Sequence, residues 1–179
     1  MKRSVAAIIG LVLATMTFVA APASATTPYC GIRWGSLAKI ADGMSPAPLT
    51  NVRAGQRACY DRVVLDIAGP AGGYSVQYVT EVRGQAKGNV IPVRGGARLE
   101  VVAHVPAYNA GASTYVPANS SELVNVTGFR TLRQVAWAGT YEGYTSIGVG
   151  VRARLPFRAF VLSGPGSSSR LVVDVAHRW

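Results

Sequence analysis

Apolar and polar positions alternate along most of this chain, which is the period of a half-buried β-strand. In RVVLDIA, starting at Arg62, Val63, Leu65 and Ile67 fall on one face and Arg62, Val64 and Asp66 on the other. RLVVDVA, starting at Arg170, repeats the pattern, with Leu171, Val173 and Val175 opposed to Arg170, Val172 and Asp174. Further strands are predicted over Tyr74 to Val82, Arg98 to Val105, Leu132 to Gly139, Tyr144 to Arg152 and Phe157 to Ser163, all short, rich in Val, Tyr and Phe, and bounded by Gly, Pro, Asn or Ser. Helical period occurs once. In WGSLAKIADGM, Ser36 can cap a short helix carrying Leu37, Ile40 and Ala41, with Gly43 as its stop. The pattern therefore predicts an all-β chain, a β-sandwich or partly open barrel of short strands with one short N-terminal helix.

The repeated strand admits two arrangements. Side by side and antiparallel, with Val64 opposite Val172, the copies would place Arg62 opposite Asp174 and Asp66 opposite Arg170, cross-strand pairs worth roughly 0.2–1 kcal/mol each. Alternatively they occupy equivalent positions in two related sheets. A second pattern lies in Tyr144 to Arg152. Ile147, Val149 and Val151 form one face, so Ser146, Gly148, Gly150 and Arg152 form a strip poor in side chains. Something approaches such a strip closely, and a neighbouring aromatic or the short helix is the expected occupant, with a ligand as the alternative. Glu142 and Gly143 mark a hairpin turn, and Pro106 to Ser121 reads as a long polar loop.

Composition adds the compartment. Lys2 and Arg3 precede an apolar run of 17 residues, Val5 to Ala21, followed by Pro22 and the small triplet Ala23, Ser24, Ala25. That order predicts a secretory signal peptide over residues 1–25, cleaved rather than kept as an anchor because Gly10, Thr15, Thr17 and Pro22 weaken the run as a span. The remainder, 26–179, is long enough for one domain. Its two cysteines, Cys30 and Cys59, are expected to pair in an oxidising compartment. With two histidines, His104 and His177, lacking ligand spacing, no metal and no cofactor is expected. The formal net charge is +10, of which the leader holds two, and the basic residues left are nearly all arginine. A secreted cation of this kind suits anionic wall polymers, acidic head groups or peptidoglycan carboxylates. No nucleic-acid module is visible, and no stable membrane span is expected after cleavage.

Three stretches together resemble a known family. NVRAGQRACYDRVVLDIAGPAGGYSVQYV from Asn51 to Val79, QVAWAGTYEGYTSIGVGVRARLPFRAFVL from Gln134 to Leu162, and SRLVVDVAHRW at the end are similar to AMIN-like domains of secreted bacterial proteins. These in turn resemble the AMIN domain, the non-catalytic module beside the catalytic domain of N-acetylmuramoyl-L-alanine amidases. The resemblance covers Cys30 to Trp179 and implies peptidoglycan binding and envelope localisation. It also implies that the two copies mark equivalent strands of two roughly symmetrical sheets. The expectation is a module standing alone, with an insertion from Pro106 to Ser121 beyond what a minimal AMIN sandwich needs.

Enzyme readings find little support in the residues. Gly-x-Ser-x-Gly is absent, and Asp174 and His177 would point to opposite faces of a strand. His177 is expected at the terminal surface and His104 at a sheet or rim position. Pairs such as Glu81 with Glu142 or Glu100 with Glu122 could supply glycosidase carboxylates only by chance of folding. GVGVRA, starting at Gly148, cannot be a nucleotide motif because Pro156 forbids the helix it needs. The candidate ligand residues are Arg133, Tyr141, Tyr144 and Arg152, since aromatic faces beside arginines suit a sugar ring and a stem-peptide carboxylate. Trp137 shares a face with Val135 and is expected in the core. The function expected is a secreted, extracellular or wall-associated binding module for peptidoglycan or an anionic wall polymer, not an enzyme. A small-ligand or lipid carrier is the alternative and a wall-glycan hydrolase the third reading.

Overall fold

A computed structural model describes residues 27–179; the signal peptide expected over residues 1–25 lies outside them. Two antiparallel sheets pack face to face. The five-stranded sheet runs in the order β1 (Lys39–Ala41), β4 (Tyr74–Val79), β7 (Ala97–Ala103), β11 (Tyr144–Val151), β10 (Leu132–Tyr141). The four-stranded sheet runs β12 (Phe157–Ser163), β13 (Ser169–Ala176), β3 (Tyr60–Ile67), β2 (Leu49–Gln56). Two small hairpins, β5 (Val82–Arg83) with β6 (Val90–Ile91) and β8 (Tyr108–Asn109) with β9 (Ala112–Ser113), complete the thirteen strands of the described residues. Among the described residues no helix is long and apolar enough to cross a membrane.

Alternation sets the core. Val63, Leu65 and Ile67 of β3 and Leu171, Val173 and Val175 of β13 meet Val76, Leu99, Val101, Ile147 and Val149 from the facing sheet in one buried cluster. Each such side chain contributes about 1.5–3 kcal/mol on leaving water. Two tyrosines tie the layers together at their margins. Tyr74 on β4 donates to Ala159 O at 2.8 Å, and Tyr78 donates to Leu155 O and accepts from Leu155 N, both at 2.9 Å.

The two copies of the repeated strand are neighbours in one sheet. Val64 lies opposite Val172, Arg62 opposite Asp174 and Asp66 opposite Arg170. This corrects the reading in which they occupy equivalent places in two sheets. Only one of the expected charge pairs forms. Arg62 holds Asp174, whereas Asp66 accepts two bonds from Arg53 on β2, at 2.8 and 2.9 Å, and Arg170 turns to Ser163 O. Arg53 wins because its planar fork meets both carboxylate oxygens at once.

The predicted helix from Ser36 to Gly43 is not there. The sole helical piece among the described residues is a 3₁₀ turn at Tyr29–Gly31, and Lys39–Ala41 pairs instead with the open edge of β4. A helix of that length is marginal, and Leu37 and Ile40 bury so little (75 % and 65 % exposed) that nothing would have held it. The strand expected to reach Val82 ends at Val79, and Val82 starts the small β5–β6 hairpin. The turn at Glu142 and Gly143 forms as expected, with both residues at positive φ (48° and 82°) between the paired Tyr141 and Tyr144. The segment 106–121 carries the β8–β9 hairpin, whose Tyr108 hydroxyl accepts from Gly143 N at 3.1 Å.

The strip on β11 is filled by neither an aromatic nor a helix. The excursion between β4 and β7 folds back over it. Val82 and Val93 pack with Ala136 and Ala138 into a second, smaller core, and a Cβ added at Gly148 would lie 2.8 Å from Val93 Cγ2. At Gly150 the Arg94 carbonyl oxygen occupies the place of the missing side chain. Glycine at these two positions lets a chain segment lie directly on the sheet.

The expected disulfide is present between Cys30 and Cys59, with Cα atoms 6.2 Å apart. Closing 29 residues of separation contributes about 3–4 kcal/mol in the chain-entropy model. It also moors the N-terminal strap to the start of β3.

Candidate functional site

The outer face of the four-stranded sheet carries a cluster built on one buried carboxylate. Asp174 on β13 has no exposed surface and stands between Arg158 on β12 and Arg62 on β3 in the strand register. Arg62 donates Nε to Oδ1 at 2.6 Å and Nη2 to Oδ2 at 2.9 Å, and Arg158 donates Nε to Oδ2 at 2.8 Å. The hydrogen bond to Asp174 raises the Arg62 pKa above its ordinary value, against the opposing effect of burial. Two cations share one anion, so the cluster keeps a surplus positive charge.

Aromatic rings frame the guanidiniums. Arg158 lies 4.3 Å from the Trp34 ring centre, 4.9 Å from Phe160 and 5.6 Å from Tyr60. Arg62 lies 5.4 Å from Tyr60 and 5.7 Å from Phe160, and its Nη2 also donates to the Tyr60 hydroxyl at 3.3 Å. Trp34 meets Tyr60 edge-on at 5.5 Å. It is delivered by the N-terminal strap, which the Cys30–Cys59 bridge and a bond from Phe157 N to Gly35 O at 3.0 Å hold on the sheet. Rings covering the guanidinium faces leave the N–H edges to meet a ligand. Fixed donors beside partly exposed rings can take a planar anion and the apolar face of a sugar together.

The residues singled out from the sequence do not converge. Arg133 and Arg152 sit at one end of the β10–β11 ladder, where Leu132 pairs with Val151, and Tyr141 and Tyr144 sit at the turn end. Arg133 spends its guanidinium on the carbonyls of Phe129, Arg130 and Leu132, and Arg152 donates to His177 O. Tyr144 packs edge-on against His104 at 5.1 Å, while Tyr141 is exposed. All four belong to the other sheet. The signal overlooked is the pair of outward alternations Tyr60-x-Arg62 and Arg158-x-Phe160 on strands that flank Asp174.

His177 departs from the terminal surface position expected of it. It is buried, its Nε2 lies 3.0 Å from Asp61 Oδ1, and Asp61 Oδ2 accepts from the backbone N–H groups of Thr131 and Leu132 at 2.6 and 3.0 Å. The arrangement is a clasp in which Asp61 of β3 ties the residue that follows β13 to the start of β10. His104 does take a rim position, with Nδ1 2.9 Å from Gly43 O. Trp137 packs against the core and the Tyr115 ring, yet part of it reaches the surface.

Comparison with known proteins gives one result. The family model of the AMIN-like domain matches residues 47–177, which take in β2 through β13 and leave out the strap that carries Trp34. No curated protein and no solved structure matches the chain. Domains of this kind are generally non-catalytic and associated with proteins of the cell envelope. The repeated strand, Asp174 with its two arginines, the whole four-stranded sheet and four of the five strands of the other sheet lie within the match, and the chain belongs to the AMIN-like domain family.

Proposed function

We propose that the chain is a secreted, non-catalytic module that holds peptidoglycan, or an anionic glycan associated with it, on the arginine–aromatic face of the four-stranded sheet. The observation that carries the reading is the geometry at Asp174. One buried carboxylate orients two guanidiniums, three rings frame them, and a surplus positive charge remains. Family membership and the basic surface support it. The space between the sheets is packed with core side chains, which favours a surface ligand over a carried one.

The test is cosedimentation with purified sacculi, before and after removal of covalently attached anionic polymers, across a salt series. Retention on stripped sacculi at high salt is expected, with Arg158→Gln weakening it at least fivefold while the melting temperature stays within a few degrees. Equal retention of Arg158→Gln would remove the site assignment. Loss of all retention with modest salt would reduce the interaction to net charge. Incubation with sacculi is expected to release no reducing ends and no muropeptides.

A further inference from the structure

One end of the sandwich is basic. There β2 turns into β3, β11 runs into β12, β10 begins and β13 finishes, and Asp61 ties the two sheets together through Thr131, Leu132 and His177. These connections carry Arg57, Arg130, Arg133, Arg152, Arg154 and Arg178, of which Arg133 is half-buried and the rest are exposed. Among the described residues none of the six is in an ion pair. Their bonds go to neutral groups instead: Arg133 to three carbonyls, Arg152 to His177 O, and Arg154 to Ser36 O at 3.1 Å and Ser36 Oγ at 3.3 Å. Such bonds orient a guanidinium without cancelling its charge. Asp61, the carboxylate in their midst, is buried and spent on His177 and two backbone N–H groups. At the opposite end, where Gly143 meets Met44, Asp42 and Glu142 are exposed. Like charges gathered on one surface repel one another, so this end calls for an anion from outside the chain.

Large apolar side chains stand among these cations. Leu37 is 75 % exposed and Trp179 is 66 % exposed. Both are tied to Arg154. Trp179 Nε1 donates to the Arg154 carbonyl oxygen at 3.1 Å, and Ser36, next to Leu37, accepts from the Arg154 guanidinium. Lys39 Nζ donates to Leu37 O at 2.7 Å and adds a further cation. Arg178 lies 4.6 Å from the centre of the Tyr29 ring, which the Cys30–Cys59 bridge holds at this end. A soluble polyanion would leave the leucine and the indole in water. A bilayer would not, because tryptophan settles at the level of the head groups and a neighbouring leucine reaches the acyl boundary while arginines meet lipid phosphates. Two apolar side chains alone hold a membrane weakly, and the basic cluster supplies the second signal that stable docking needs.

We propose that this end of the sandwich docks on a bilayer surface of anionic phospholipids, with Trp179 and Leu37 in the head-group layer and the arginines on lipid phosphates. The assignment does not rest on the glycan reading of the Asp174 face, and either can fail while the other stands. The probe is a set of vesicles of phosphatidylglycerol in phosphatidylcholine, against vesicles of phosphatidylcholine alone. The protein is taken without the apolar leader of residues 1–25, so that only the folded sandwich is presented. Pelleting with the anionic vesicles alone is expected. Arg154→Gln combined with Arg178→Gln should weaken it at least tenfold, whereas Lys87→Gln, which removes an exposed charge from the β5–β6 hairpin, should stay within twofold of wild type. Trp179→Ser should weaken it at least fivefold and leave retention on stripped sacculi unchanged. Brominated lipid should quench tryptophan fluorescence in the wild type and not in Trp179→Phe. Equal pelleting with neutral vesicles, equal weakening by Lys87→Gln, or quenching that persists in Trp179→Phe would each overturn the proposal. So would capture of soluble polyglycerol phosphate with no pelleting on vesicles, which would make this end a polymer site.

Discussion

Asp174 owes its weight to desolvation. It has no exposed surface, Arg62 is mostly buried, and Arg158 is 39 % exposed along its side chain. Removing one partner of a buried pair costs about 3–5 kcal/mol, and the reach of Arg158 to water lowers that here. Asp174→Asn is therefore expected to cost about 2–4 kcal/mol in chemical denaturation. Breaking the Arg53–Asp66 pair at the surface with Arg53→Gln should cost about 1 kcal/mol or less. Equal costs would mean that the carboxylate does not organise the face. Tyr78 supplies a pH dependence. Burial pushes its phenol above the ordinary value, against the pull of the Leu155 N–H and the Arg154 guanidinium. The folded-state value lies above the unfolded one, so this contribution is complete below about pH 10 and is lost as pH rises through the folded value. Tyr78→Phe is expected to flatten the alkaline limb of a melting-temperature profile, while costing about 1 kcal/mol at neutral pH from the lost bonds to Leu155.

At the scale of elements, what could be read from the sequence was what alternation controls. The register of β3 on β13 follows from matching Val64 with Val172, because a slip by one residue would turn the apolar face of one strand outward while that of its partner stayed in the core. The same logic exposed the strip on β11. Alternation could not say what lies on it, since Val82, Val93 and Arg94 come from a turn-rich stretch whose own pattern is too short to read. The helix expected at Ser36 failed for a related reason: three apolar residues fit a helical period, but an unpaired edge on β4 was within reach. The arginine–aromatic face was missed because Trp34 and Arg158 meet only through the fold. Gly150 allows a test at this scale. Its Cβ would overlap the Arg94 carbonyl, so Gly150→Ala must displace the excursion, at about 1–3 kcal/mol for overpacking. The variant should fold, melt lower, and show altered amide shifts from Val90 through Arg94 but not along β12 and β13. Unchanged shifts there would mean that the excursion does not rest on the sheet.

For the whole molecule, the consequence lies in where the two sites stand. A sandwich has two outer faces, and here the four-stranded sheet carries arginines beside aromatic rings on its outer face while the core lies beneath it. The basic end with Trp179 and Leu37 lies beside that face, where β3 starts and β13 stops. If both assignments hold, one copy can rest on a bilayer and hold a glycan strand at once, and the second contact benefits from the effective concentration that the first creates. Wild-type protein should then cross-bridge anionic vesicles through long soluble glycan strands, seen as a rise in light scattering that needs protein, vesicles and glycan together. Arg158→Gln and Trp179→Ser should each lower the scattering at least fivefold while leaving binding at the other site. The double variant should lose both. A bridge made by net charge alone would behave differently: both single variants would retain most of the scattering, and modest salt would remove it from all of them. Scattering that survives either substitution at high salt would show that the face and the end do not act as a pair.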